Sequence, residues 1–363
     1  MRLTSLQLES FRSYNKLSLD FDEGSQLFLG ANGSGKTNIV EAISFLSQAR
    51  SCLRAQPDEA LRFEESFLKI RAGVQSDAGE ESSLEYVFQV SPKRSSAFFL
   101  RDIRTPLLSF IGVLPTITFL PQALTLFTGS PSDRRSFLDA LLTQLRPAFV
   151  AERMEYERIL KQRNALLKQV ASGEIEEHAL DVWDEQLSLV GSTIIGERQS
   201  LLQEINAGLP LHIGSLGEQW KDTKVTYTAS SMGERPDDMR ATLLRYRSRD
   251  IILQSTTIGP HRDDWTLLAD GRDIGIFASR GQQRTALLAL LFVSAGLFQR
   301  ARGERPVILL DDVLSELDPA HQNALLTHLS GHQVFITATH PTEELADLTA
   351  WEVGGGKVRG LED

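Results

Sequence analysis

The chain has 363 residues, 41% of them hydrophobic and 24% charged, with a net charge of −10 and a single cysteine. That balance excludes a disordered chain, a disulfide framework and a multi-cysteine metal site, and it leaves room for a sizeable core in two domains. An acidic total also excludes coating of nucleic acid by bulk charge, so contact with nucleic acid has to come from local basic patches.

Met1 to Glu9 lacks the apolar run and cleavage site of a signal peptide, and no apolar run approaches the roughly 20 residues of a bilayer span. A cytoplasmic protein without a membrane partner is expected. Arg2 to Phe21 alternates apolar positions around a turn at Arg12 to Asn15, which predicts two strands. Gln26 to Leu29 is a short apolar strand that runs into a glycine-rich loop, Gly30 to Gly35, and then into a helical pattern from Lys36 to about Gln48. Further strands are expected at Phe67–Val74, Leu84–Val90 and Val113–Phe119. From about Asp133 the period becomes helical, with breaks at Pro147 and at Ala171 to Gly173. A mixed pattern returns after Lys224 to Ala229. It is followed by a helix from Gly281 to about Gln299, a strand Val307–Leu310, a helix Pro319–Leu329 and a strand Val334–Thr337. The last two strands are apolar runs of the kind found in a parallel α/β core. The expected organisation is a nucleotide-binding domain over 1–125 plus 246–363, interrupted by a mainly helical insertion over 126–245.

Gly30, Ala31, Asn32, Gly33, Ser34, Gly35, Lys36 and Thr37 match the phosphate-loop pattern G-x-x-x-x-G-K-[ST] between a strand and a helix. The glycines let backbone N–H groups converge on phosphate, Lys36 supplies a charge to the β and γ oxygens, and Thr37 is a Mg2+ ligand. Lys36 is expected to face solvent when no nucleotide is bound. The loop needs an acidic partner at the end of a neighbouring strand, and the apolar run Val307 to Leu310 ends in Asp311 and Asp312. Asp311 is the expected Mg2+ ligand. Asp312 points away from the metal and serves as general base toward the attacking water.

Ser279, Arg280, Gly281 and Gln282 open the helix before the acidic strand and resemble the signature of ABC ATPases. A serine hydroxyl and free N–H groups at a helix start form an anion site. In that family the site closes on the γ-phosphate held by a second copy, so the resemblance implies an ATP-dependent homodimer. Three more elements fall in the family's order: Ser315 and Asp318 as the D-loop, His340 as the switch histidine, and Gln122 as the glutamine that touches metal and water. Many members carry glutamate where Asp312 stands, and the shorter side chain implies slow hydrolysis.

Leu8 to Tyr14, the phosphate loop, the run Gly129 to Asp139, the run Gly259, Pro260, His261, Arg262, Asp263 and Asp264, the signature and the acidic strand together resemble the RecF family. The resemblance implies an α/β fold of ABC type, a mixed sheet with a phosphate-loop core. It also implies ATP and Mg2+ as cofactors, weak ATPase activity, binding of double-stranded DNA near gaps, and action with RecO and RecR in loading RecA. A bare reading makes Gly259 to Asp264 a polar turn, with His261 and Arg262 in structural hydrogen bonds. Pro131 to Lys168 holds eight basic and five acidic residues. Arg134, Arg135, Arg153 and Arg163 are therefore candidate DNA contacts, unless the stretch is simply a set of solvated helix faces. A transporter subunit, an SMC-type chromosome protein and a small-molecule kinase share parts of the motif set. Arg280, an insertion of about 120 residues without sustained heptads, and the signature itself disfavour them in turn.

Overall fold

The computed structural model describes residues 1–231, 235–341, 345 and 348–361, apart from the side chain of Glu316. The chain falls into two compact units, Met1–Thr125 with Ser215–Glu218 and Arg280–Asp363, and Leu126–Gly214 with Gln219–Ser279. The division expected near 245 falls inside a helix. The second unit continues to Ser279, because a strand beyond the helical stretch pairs with one before that helix.

In the first unit, β1 (Arg2–Phe11) and β2 (Tyr14–Asp20) form an antiparallel hairpin. β3 (Gln26–Leu29) leads through the glycine loop into α1 (Lys36–Gln48). The short α2 (Pro57–Ala60) precedes a meander of β4 (Phe67–Gln75), β5 (Glu81–Gln89), β6 (Ser95–Leu100) and β7 (Ile103–Thr105), after which come α3 (Leu107–Phe110) and β8 (Thr116–Phe119). The meander joins the hairpin in an antiparallel sheet of order β2-β1-β4-β5-β6-β7. Alternate residues of β1, β4 and β5, such as Leu6, Ile70 and Tyr86, point into one core with Ile39, Ile43 and Phe45 of α1, the period-2 burial expected of a half-covered sheet.

The second unit begins with α4 (Pro131–Leu145), capped by Ser130 and Asp133 in a reciprocal box, then α5 (Ala148–Ala171) and α6 (Asp181–Ser215). β9 (Thr223–Thr228), α7 (Pro236–Leu253), β10 (Asp264–Ala269), β11 (Arg272–Asp273) and α8 (Ile274–Phe277) complete it, with a three-stranded antiparallel sheet of order β11-β10-β9.

The chain returns to the first unit with α9 (Arg280–Arg302), β12 (Val307–Asp311), α10 (Pro319–His328), β13 (Val334–Ala338), β14 (Thr349–Gly354) and β15 (Lys357–Gly360). These build the second sheet, β15-β14-β3-β13-β12-β8, parallel except for β15. Every residue of β12 and β13 is buried, which explains their unbroken apolar runs. α9 is long and apolar enough for a bilayer span by composition, but 72% of that window is buried, as in a core helix. β6, β7, β14 and β15 escaped the pattern reading because they are short hairpin strands with few fully buried positions.

Candidate nucleotide-binding site

The parallel register sets Asp311 opposite Thr337 and Ala338 opposite Leu29, so the carboxyl ends of β12, β13 and β3 lie side by side. A crevice outside strand ends is where open α/β sheets bind ligands. Here a cavity is lined by Asn32, Gly33, Gly35, Lys36, Thr37, Asn38, Asp311, Asp312 and Thr337.

The loop is shaped by two glycines in particular. Gly35 has φ +110°, and a Cβ there would lie 2.9 Å from both Ser13 Oγ and Tyr14 OH. Tyr14 OH in turn donates to the Gly35 carbonyl at 3.0 Å. At Gly30 a Cβ would meet the Val353 carbonyl at 2.4 Å. Gly35 also occupies the N-cap of α1 and has no side chain to cap its first turn, which leaves that turn available to an anion. Ser34 Oγ is buried with no hydrogen-bond partner among the described residues. Lys36 departs from expectation. Its side chain is not solvent-facing: the residue is 6% exposed, and Nζ donates to the carbonyls of Gly30 at 2.6 Å and Ala31 at 3.0 Å. A loop wound around a long side chain satisfies its ammonium internally.

Thr37 Oγ1 lies 3.0 Å from both oxygens of Asp311, and Thr337 Oγ1 donates to Asp311 Oδ1 at 2.7 Å. Burial pushes the Asp311 carboxyl above its ordinary range, against the opposing pull of the Thr337 and Thr37 hydroxyls. A buried carboxylate short of positive partners suits a cation. Among the described residues no group of three His, Cys, Asp or Glu side chains is placed to hold a metal, so Thr37 and Asp311 fit a Mg2+ whose other ligands come from nucleotide and water. Asp312 turns the chain at φ +51°. Its N–H donates to Thr337 Oγ1 at 3.0 Å, and the residue lines the cavity.

The other expected residues stand outside the cavity. Ser279 and Arg280 are exposed, Ser279 just before α9 and Arg280 at its first position; Gly281 and Gln282 follow in the first turn, partly buried. Ser315 Oγ donates to the Asp312 carbonyl at 2.8 Å, and Asp318 caps α10. Gln122, in the turn after β8, and His340, after β13, are both exposed.

All four candidates of the basic stretch have partners within the second unit, and they differ in how deeply they are buried. Arg163 is 0% exposed, with Nε donating to Asp184 at 2.6 Å and Nη1 to Asp250 at 2.8 Å. As placed, it holds the second unit together and presents nothing to DNA. Arg134 grips Asp264 with two bonds of 2.7 Å, and Arg135 donates to the Asp263 carbonyl. Arg153 keeps 26% of its side chain exposed, with Glu157 at 3.6 Å. In the Gly259 to Asp264 run, Tyr156 OH lies 2.7 Å from His261 Nδ1. Buried Asp263 accepts from Tyr227 OH and from the Ser230 N–H and hydroxyl.

Thr337, which sequence reasoning missed, is the hinge of the acidic cluster; only strand register reveals it. Glu41 is likewise fully buried, on the inner face of α1, and is clamped by Arg12 through two bonds of 2.6 and 2.7 Å. An acidic residue on the apolar face of a helix was the available signal.

The family described as RecF/RecN/SMC N terminal domain matches residues 2–350. The DNA replication and repair protein RecF of Heliobacterium modesticaldum is 34% identical, covering 99% of each chain. The RecF of Bacillus cereus is 36% identical over 99% of this chain and 98% of its own. Among solved structures, the recombination mediator protein RecF with ATP, of the RecFOR pathway, superposes with a TM-score of 0.89 at 28% identity, over 99% of this chain and 97% of that one. A Smc head bound to a ScpA winged-helix domain, at 16% identity over 99% and 98% of the two chains and a TM-score of 0.55, shares the fold alone.

Proposed function

Because this chain belongs to the RecF family of DNA replication and repair proteins, we propose that it is a cytoplasmic, ATP-dependent DNA-binding protein of recombinational repair. On this reading it binds ATP and Mg2+ at the ends of β3, β12 and β13, closes into a homodimer, and holds double-stranded DNA near gaps. It hydrolyses ATP slowly and helps RecO and RecR load RecA.

The observation that carries the reading is the tie of the phosphate loop to the acidic strand, Thr37 to Asp311 to Thr337, beside a buried lysine. Bound ATP with Mg2+ would supply a polyphosphate whose terminal bond is activated toward water. Lys36 gives its charge to the phosphates, Thr37 and Asp311 hold the metal, and Thr337 keeps the Asp311 carboxylate oriented. The Asp312 carboxylate accepts a proton from the attacking water. Ser279 and the first turn of α9, on a second copy, complete the anion site, with Ser315, Asp318, Gln122 and His340 brought up on closure. The exposed Arg240 and Arg249, and the partly exposed Arg153, are the better DNA candidates, since their charge is not consumed by buried aspartates.

The test mixes two variants. Ser279→Arg keeps its phosphate loop but puts bulk and charge into the dimer contact, whereas Lys36→Met keeps the signature and loses the loop. Each alone should show almost no ATPase; mixed at equal concentration they form one good site per heterodimer and regain activity below half of wild type. Dimerisation and normal hydrolysis by Ser279→Arg alone would reduce the serine to a helix cap and end the shared-site mechanism.

A further inference from the structure

A chain of side chains joins the segment behind Asp312 to the start of α9 without entering the cavity. Asp318 Oδ1 accepts from the His321 backbone N–H at 3.0 Å, and its Oδ2 lies 2.7 Å from His321 Nδ1. The far side of the ring meets α9, with Nε2 2.8 Å from Thr285 Oγ1. Thr285 is buried one turn into that helix, and its hydroxyl is 3.3 Å from the carbonyl of Gly281. At the other end, Ser315 Oγ donates to the Asp312 carbonyl at 2.8 Å. The Gln322 amide donates to the carbonyls of Leu314 at 2.7 Å and Leu317 at 3.1 Å. The path from Asp312 to Gly281 runs wholly inside the first unit.

The proton count makes the joint rigid. An ionised Asp318 only accepts, so Nδ1 carries a proton whether the ring is neutral or charged. Nε2 then either accepts from the Thr285 hydroxyl or donates to it, and both arrangements hold Thr285 against the ring. A His ring with both nitrogens occupied cannot rotate without breaking two bonds, and the Thr285 hydroxyl is held between the ring and the Gly281 carbonyl. The first turn of α9 and the segment that begins at Asp312 are therefore joined by a continuous run of hydrogen bonds.

We propose that His321 is a positioning residue that couples the two ATP sites of the dimer. This rests on the shared-site reading above. Asp312 serves the nucleotide of its own copy and the Gly281 turn serves that of the other, so a stiff link between them makes closure at one site align the base at the next. Where Nε2 is the donor, the Thr285 hydroxyl keeps its own proton for the Gly281 carbonyl, and the link then extends to the signature turn.

The experiment compares full-length Thr285→Val, Thr285→Ser and His321→Ala with wild type. It measures monomer affinity for a fluorescent ATP analogue, thermal unfolding, and ATP hydrolysis over a range of ATP concentrations. Val keeps the shape of Thr without the hydroxyl; Ser keeps the hydroxyl. Thr285→Val and His321→Ala should bind the analogue as wild type does. They should lose about fivefold in kcat, the size of one net hydrogen bond, with KM within about twofold. Their Hill coefficient should drop toward that of independent sites, Thr285→Ser should recover both quantities, and the double variant should be no worse than either single one. A merely structural role would lower the melting temperature and analogue affinity without that split, and would overturn the proposal. Wild-type kcat and Hill coefficient in both Thr285→Val and His321→Ala, with Ser279→Arg still unable to dimerise, would overturn it while leaving the shared site standing. If Ser279→Arg also behaves as wild type, the shared-site reading has failed and the coupling falls with it. Should Thr285→Val not fold, His321→Ala, at the partly exposed end of the link, decides on the same readouts.

Discussion

Replacing Lys36 by Met separates two jobs that one ammonium performs. In the structure Nζ is held by the Gly30 and Ala31 carbonyls at 2.6 and 3.0 Å, at 6% exposure of the residue. Met keeps an unbranched side chain, one atom shorter, and removes the charge. For nucleotide, a unit charge about 4 Å from a phosphate charge in a medium of effective dielectric about 20 is worth about 4 kcal/mol before the ammonium is stripped of its present partners. Giving up those partners costs about 1 to 2 kcal/mol, so a net loss of about 2 to 3 kcal/mol is expected for the variant, a weakening of Kd by about 30- to 200-fold. For stability, the two carbonyls lose a charged donor but sit on a loop that water reaches, so the cost is about 1 to 2 kcal/mol, a few degrees of melting temperature for a chain of this size. Titration with a fluorescent ATP analogue gives the first quantity and thermal unfolding the second. Undiminished affinity would refute the phosphate-loop assignment. Collapse of the fold would show that the lysine is chiefly an internal brace.

Asp312→Asn should keep ATP binding and dimerisation, because Asp311 with its two threonine partners is untouched, and should slow hydrolysis by about 10²- to 10⁴-fold, the usual contribution of a general base; normal single-turnover hydrolysis would remove Asp312 from that role. Burial holds the His261 imidazole down at about 4, against an ordinary 6.5. The unfolded chain therefore takes up a proton between those values that the folded chain refuses, so this stabilisation is complete above pH 6.5 and is lost as pH falls toward 4, by at most about 3 kcal/mol. Denaturant unfolding of wild type and His261→Gln across that window should show the gap between them narrowing on acidification, and a gap independent of pH would contradict the depressed histidine. Binding of duplex DNA should require ATP and fall steeply with salt, with a slope of about −0.9 in log affinity against log salt for each phosphate neutralised. Gel retardation that is equally strong without nucleotide, or flat with salt, would count against the DNA reading.

The phosphate loop was legible in the sequence because its chemistry is contiguous: eight neighbouring residues, a strand before and a helix after, carry the whole geometry in local backbone preference. Asp311 was legible for a related reason, since the body of a strand buried on both faces must be apolar and the first carboxylate marks its end. What stayed hidden depends on which segments meet. Thr337 belongs to the site only because two parallel strands pair in the register that puts it beside Asp311, and a shift of one residue would have turned it away. Arg163 read as a free cation because helical periodicity cannot say whether a charged position on the inner face finds carboxylates there, and Asp184 and Asp250 come from helices 21 and 87 residues further along. The second unit runs to Ser279 because β10 pairs with β9 across helix α7. A strand of six residues carries no mark of its partner, and the pairing is chosen by the backbone hydrogen bonds and side-chain packing that form only once the whole chain has folded.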